Sequence, residues 1–276
     1  MSNMRIVSRN VHDEAELTVT SELLPVINTQ RSRRSRIWRS KDAGTQVIEG
    51  VLTQAENIDC VALARHNLGS GGAVQIEMFY GDDRVYDSGA IALALLIPAG
   101  VWRAGIDPWG GSFNEQLPSD SDLVVHWTRR VVVADRYRLT LTRMGNAELP
   151  SMEVGRILVG LSYEVDVNFD WGVRVEWQES SEHLKTEGGS LVTVGQGDLR
   201  RRFALDLSFI DMRDRQMLLS NLVSVGMHAD VLVALYPDAE GLLNLEHTMI
   251  CRRQGTWGHT YDYYHNWSSS LEFLEV

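Results

Sequence analysis

Apolar residues recur at every second position through most of this chain, and one stretch alone carries convincing helical spacing. In 46–52 (QVIEGVL), Val47, Glu49 and Val51 fall on one face and Ile48, Gly50 and Leu52 on the other. Segments 58–64 (IDCVALA) and 73–80 (AVQIEMFY) repeat the alternation, with Val74, Ile76 and Met78 sharing a face. Period-two runs bounded by turn residues predict strands. The glycines of 66–72 (HNLGSGG) mark a loop, and Gly81-Asp82-Asp83 marks a tight turn into 84–86. Residues 91–97 are continuously apolar, the pattern of a strand buried on both faces. Beyond the loop-rich 98–122, strands are expected at 123–127 and 131–142, where Tyr137, Leu139 and Leu141 share a face. A polar loop then leads to a strand ending in GRILVG at Gly160.

After Gly160 the pattern restarts. Segments 161–169 and 172–177 read as a hairpin around Asp170, and 199–210 as a long alternating strand. Residues 211–225 predict the helix. Asp211 caps it, Asp214 adds a carboxylate to the first turn, Met217, Leu218, Leu222 and Val225 form an apolar stripe, and Gly226 ends it. Strands follow at 230–236, 246–251 and 270–276. The expectation is an all-β protein with an N-terminal arm at 1–30, a sandwich over 31–160, and a second β-barrel or sandwich over 161–276 with one packed α-helix.

Composition narrows the partners. A net charge of -11 argues against a general nucleic-acid surface, which needs a basic excess. Against that background Arg31, Arg33, Arg34 and Arg36 stand out. They read either as a solvated loop or as a contact with an acidic neighbour or a phosphate. Cys60 and Cys251 read as buried reduced thiols, which suits a reducing compartment. No run approaches the roughly 20 apolar residues of a membrane helix, and no targeting segment is read.

Catalytic chemistry finds no foothold. Ser70 lacks the spacing of a nucleophile elbow, and Gly69–Gly72 and Gly195–Gly197 lack the residues of a dinucleotide fingerprint or a P-loop. His259 and His265 lack zinc-ligand spacing. The expectation is no enzyme, no metal and no cofactor. The aromatic run 257–267 (WGHTYDYYHNW) reads as core packing or as an inter-subunit contact.

The series TQVIEGVL, IDCVALARHNLG, DRYRLTLTR (with Tyr137 and Arg138) and MEVGRILVG resembles discoidin-like, galactose-binding-like jelly rolls over about 30–160, most of all those in structural proteins of tailed-phage virions. No cysteine pair lies inside that span, so a family hallmark, an end-joining disulfide, is missing. The second half is similar in outline to the ring-forming β domains of distal-tail and tail-tube proteins, in reversed domain order. The resemblance implies a virion component made in the host cytoplasm. It would form an oligomeric ring near the distal tail or baseplate and contact other tail proteins. The different-class alternative is a module binding host-surface carbohydrate. Jelly rolls of this type hold ligands in loops at one end, where an exposed Trp stacks on a sugar. Trp109 is the first candidate, followed by Trp38 and Trp102.

Overall fold

A computed structural model describes residues 2–69, 72–93, 96–97, 112–113, 123–143, 150–179, 181–195, 199–239 and 242–276. The chain divides into two compact units, Met1–Glu164 with Leu232–Thr248, and Val165–Val231 with Met249–Val276. Residues 1–30, expected as a separate arm, belong to the first unit, and Leu232–Thr248 returns to it. Both are held by strand pairing. Arg5–Val7 lies antiparallel to Tyr163–Glu164 and to 232–234, too short a strand for its periodicity to be read in the sequence. Met4, Ile6 and Val7 are fully buried there.

Two long antiparallel strands, Gln46–His66 and Leu123–Thr142, organise the first unit. Their register shifts between Val51 and Glu56 and again between Ile58 and Cys60. Extra residues in one strand of a pair bend it and raise its twist. On one side of the shifts, 46–51 pairs with 136–141, and the sheet widens through Glu16–Val19, Ala73–Tyr80 and Asp83–Ala92. On the other side, 60–64 pairs with 123–127 and with Glu153–Gly160, which in turn pairs with Trp38–Arg39. One core draws on both halves, among them Ile48, Ile76, Tyr137 and Leu139 from the first and Trp38, Leu63, Ile157 and Val159 from the second. The all-β, sandwich reading holds.

Where the sequence reading gave four strands there are two. The apolar alternation stops across 53–57, because the shifted residues face solvent. The double-buried strand at 91–97 is corrected as well. Its first part ends the strand Asp83–Ala92, with Ala90 and Ala92 exposed.

A buried polar chain pins the N-terminal segment to this sheet. His12 Nε2 lies 2.8 Å from Thr29 Oγ1, which itself donates to the Val26 carbonyl at 2.8 Å. The Thr29 proton is thereby committed, so His12 must donate through Nε2 and accept through Nδ1. The acceptor Nδ1 meets the Tyr137 hydroxyl at 2.5 Å. Beside it, Arg156 forks onto Asp13 at 2.5 and 2.7 Å. Asn10 caps the short 3-10 helix Val11–Glu14 and also donates to the Ile157 carbonyl.

Two glycines make room for this arrangement. A Cβ on Gly160 would lie 2.4 Å from the Arg9 carbonyl oxygen, and one on Gly50 would lie 2.2 Å from the Tyr137 ring. Tyr137 is fully buried and tied to His12, so the ring has nowhere to retreat. Overpacking of a tight core costs about 1–3 kcal/mol. Gly50→Ala is expected at the upper end of that range, read as a lowered denaturation midpoint at unchanged slope. A change indistinguishable from zero would mean the ring is not confined.

The second unit is built on Leu199–Ile210, which pairs with Arg174–Glu179 and with Asn266–Glu275. The latter also pairs with Thr260–Tyr263 and with 251–253. The expected hairpin around Asp170 does not form. Tyr163–Glu164 pairs with Arg5–Val7 instead, and Arg174–Glu179 pairs with Leu199–Ile210. The helix is Met212–Leu218, its N-terminus capped by Asp211, which accepts from the Asp214 amide at 2.7 Å. It runs on as one π-helical turn, Leu219–Val223, before Gly226 at φ +77°. The expected stripe is kept only in part. Leu218 and Leu222 are buried, and Met217 is exposed. A second short helix, Leu242–His247, belongs to the first unit and occupies the start of the strand expected at 246.

Candidate functional site

The residues singled out in the sequence scatter. Arg31, Arg33 and Arg36 are exposed and Arg34 half-buried, on a turn closed by the Arg36 amide donating to the Arg33 carbonyl at 2.9 Å. Trp38 is a correction. It is fully buried in the first unit's core, because the strand Trp38–Arg39 aims it inward beside Val154, so no sugar stacks on it. Trp102 and Trp109 lie outside the described residues, as does Ser70. Cys60 and Cys251 are free and buried, and burial pushes both thiols well above their ordinary range. The aromatic run splits. Trp267 is buried with Tyr261 beside it at 5.3 Å, whereas Tyr263 and Tyr264 are exposed.

Three surface features remain. The first is a two-stranded ribbon in the second unit, Glu182–Lys185 against Leu191–Val194. Residues directly opposite each other in an antiparallel pair project from the same face. One face therefore carries Leu184, Val192 and Val194 with Glu182, and the other carries His183, Thr193, Lys185 and Leu191. His183 Nδ1 and Thr193 Oγ1 lie 3.0 Å apart on the second face. Leu184, Val192 and Val194 are each close to half exposed. Among the described residues no further strand pairs with the ribbon. The sequence signal was present: two short alternating runs flank Gly188-Gly189, and Gly189 adopts φ +83° in the turn.

The second feature is an open groove of about 350 Å³ in the first unit, lined by Tyr80, Val85, Arg130, Val131, Val132 and Val133. Tyr80, Val131 and Val133 present exposed apolar surface in it. The third is a cleft of about 210 Å³ where the bulged segment of the long strand meets the N-terminal segment. Val11 and Leu52 form its floor, and Arg9, Glu14, Gln54 and Glu56 its polar rim. Arg9 donates to Glu56 at 3.0 Å and to Glu14 at 3.2 Å. The hydrogen bond from Gln54, with Arg9 behind it, holds the Glu56 carboxyl below its usual range.

Asp166, Asp211 and Asp214 also gather within 4.8 Å. Their oxygens are engaged in the fold: Asp211 accepts from the Asp214 amide, and Asp214 from the Asp166 amide at 3.1 Å. The cluster is accounted for as a helix cap. No helix among the described residues is long and apolar enough to cross a membrane.

No protein-family model and no curated protein sequence matches the chain. Solved structures do. The family 32 CBM from C. perfringens NanJ, in complex with galactose, is 13% identical with a TM-score of 0.39, over 57% of this chain and 99% of that one. A chitosan-binding module from a chitosanase/glucanase of Paenibacillus sp. IK-5 is 13% identical at 0.35, over 55% and 98%. A fucose binding module of Streptococcus pneumoniae is 10% identical at 0.37, over 55% and 98%. These structural neighbours are carbohydrate-binding jelly-roll domains.

Proposed function

We propose that this chain is a non-enzymatic structural subunit that works as an oligomer, in the manner of a tailed-phage distal-tail or baseplate component. The observation that carries the reading is the ribbon Glu182–Lys185 and Leu191–Val194, amphipathic in its side-chain pattern yet exposed on its apolar face. An isolated two-stranded hairpin is marginal in water. A face of Leu and Val kept ready on such a ribbon is the design of a docking element. Trp171, Phe209, Tyr263 and Tyr264 add exposed aromatic surface to the same unit, and aromatics concentrate in interface cores. The resemblance to phage tail proteins supplies the setting, and the neighbouring tail proteins would be the remaining partners. The test is the solution mass of the full chain by light scattering across a concentration series, with electron microscopy of the largest species. Closed oligomers are expected. A monomer at every concentration would overturn the reading.

A second reading gives the first unit carbohydrate as ligand. The cleft favours it, since an apolar floor of Val11 and Leu52 under an Arg9, Glu14, Gln54 and Glu56 rim suits a sugar's C–H face and hydroxyls. Its neighbours' galactose, chitosan and fucose name the ligands to try first. Titration calorimetry with galactose-, glucosamine- and fucose-terminated glycans tests it. Saturable heat that disappears in Arg9→Ala is expected, and heat unaltered by that change would remove the cleft from consideration.

A further inference from the structure

We infer that residues 8–37 form a strap whose middle lets go of the first unit's sheet in acid while both its ends stay paired, with His12 as the latch.

Strands fix the two ends. Arg5–Val7 pairs with Tyr163–Glu164 and with 232–234, and Trp38–Arg39 pairs with 153–154. The stretch between is held by short pieces. Glu16–Val19 is a four-residue edge strand on 48–51, Leu24 bridges to Arg39 beside the strap's own end, and Val11–Glu14 and Val26–Gln30 are brief 3-10 helices. The strap gives the core Val11, Ala15 and Val26, with Leu17 and Val19 packed at its margin, while Leu23 and Ile27 are exposed. A segment with so few buried apolar contacts opens at a lower free energy than the strands it covers.

Polar side chains do much of the fastening, and His12 stands at their centre. Its Nε2 donates within the strap to Thr29 Oγ1 at 2.8 Å, and its Nδ1 accepts from Tyr137 of the sheet at 2.5 Å. The His12 carbonyl accepts from Gln30 Nε2 at 2.7 Å. On either side of the ring, Asn10 bonds the Ile157 carbonyl and the Val159 amide, and Asp13 bonds Arg156.

A proton on Nδ1 turns that acceptor into a donor facing the Tyr137 hydroxyl, and it places a cation in a fully buried site. The ionisable groups around the ring do not neutralise it. Arg156, from Glu153–Gly160, is itself a cation, and its guanidinium is forked by Asp13. Burial keeps the Tyr137 hydroxyl protonated well above its ordinary range. Gln46–His66 contributes Glu56, which is engaged by Arg9, and Val26–Gln30 carries no ionisable side chain. Burial first, then Arg156, therefore hold His12 at about 3 while the strap is closed. Released into water, the ring titrates near 6.5. Closure is complete above that value, and the opening equilibrium grows about 25-fold between pH 7 and 5. Opening uncovers the 48–51 edge of Gln46–His66.

Hydrogen exchange of the full chain at pH 7, 6 and 5, corrected for intrinsic rates, tests this. His66, the other buried ring, lies at the far end of Gln46–His66 and outside the strap. It weakens the whole unit without loosening the latch. Amides of 16–20 and 26–31 are expected to exchange faster than those of 73–80 at every pH. Their opening should rise about 25-fold from pH 7 to 5, the response of one ring, while 73–80 follows both rings. Strap amides that exchange in step with 73–80 overturn the proposal, because the strap then opens only with the whole unit. Strap exchange that is the same at pH 7 and 5 also overturns it. In His12→Gln, whose amide donates and accepts but does not titrate, the strap's pH dependence should vanish. If the full dependence survives there, His12 is not the latch. Should that variant fail to fold, the comparison within the unaltered chain decides alone.

Discussion

Lowering the pH from 7 to 5 is expected to destabilise the first unit by about 4 kcal/mol, roughly 2 kcal/mol from each of two buried histidines. Burial, reinforced by Arg156, pushes His12 down to about 3, and burial alone pushes His66 down to about 4. His12 is fully enclosed, its two ring nitrogens committed to Thr29 and Tyr137. His66 offers Nδ1 to the Leu68 amide at 3.4 Å. Both rings are neutral in the fold, whereas in the unfolded chain they protonate near the ordinary histidine value of about 6.5. Between those limits the unfolded state binds more protons, so stability is complete above about pH 6.5 and falls as the pH drops towards 4 and then 3. Denaturant unfolding at pH 7, 6 and 5 measures the slope. In His12→Asn, weakened overall by the lost contacts, about half of the pH dependence should vanish. A midpoint that does not move between pH 7 and 5, or a variant with the full slope, would show that these rings are hydrated or already charged.

What the sequence made legible follows from what periodicity encodes. Alternation at 73–80 and 137–141 marked the inward residues correctly, because one face of each strand lies on a core and the other does not. It could not show that 46–66 is one strand, since bulged residues break the alternation without ending the pairing. Nor could it place 5–7, where both faces are buried and three residues give no period. Leu232–Thr248 was assigned by chain order to the second half, but strand pairing carries it back to the first unit. The candidate site fared differently. Trp38 was chosen for its chemistry, and packing against Val154 removed it from the surface, while the arginines fell on an exposed turn as a charged run should. The ribbon at 182–194 was readable from its Gly-Gly turn. Its exposed apolar face was not, since strand alternation alone does not say whether the apolar side meets a core.

Replacing Glu275 with alanine is expected to cost the second unit about 3–5 kcal/mol, the range for removing one partner of a buried ion pair. Arg201 is almost fully buried on the strand Leu199–Ile210, and Glu275 lies beside it on the neighbouring strand, with its side chain 15% exposed. The carboxylate receives Arg201 Nη2 at 2.5 Å, Nε at 3.1 Å and the Arg201 backbone amide at 2.9 Å. The Trp177 ring lies 5.9 Å from the guanidinium carbon. Truncating Glu275 would therefore leave a cation in a poorly hydrated site and strip the carboxylate acceptor from between two inner strands of the sheet. The loss should appear as reduced hydrogen-exchange protection along 199–210, with the first unit's amides unchanged. Replacing both partners, as Arg201→Met with Glu275→Leu, removes the stranded charge together with the pair. It should recover most of the stability, because a well-packed apolar pair often matches a buried salt bridge. If Glu275→Ala alone leaves protection intact, solvent already reaches Arg201 and the pair contributes no more than a surface bridge. If the double variant is as unstable as the single one, the shape of the Arg201 stem against Trp177, rather than charge neutralisation, holds these strands together.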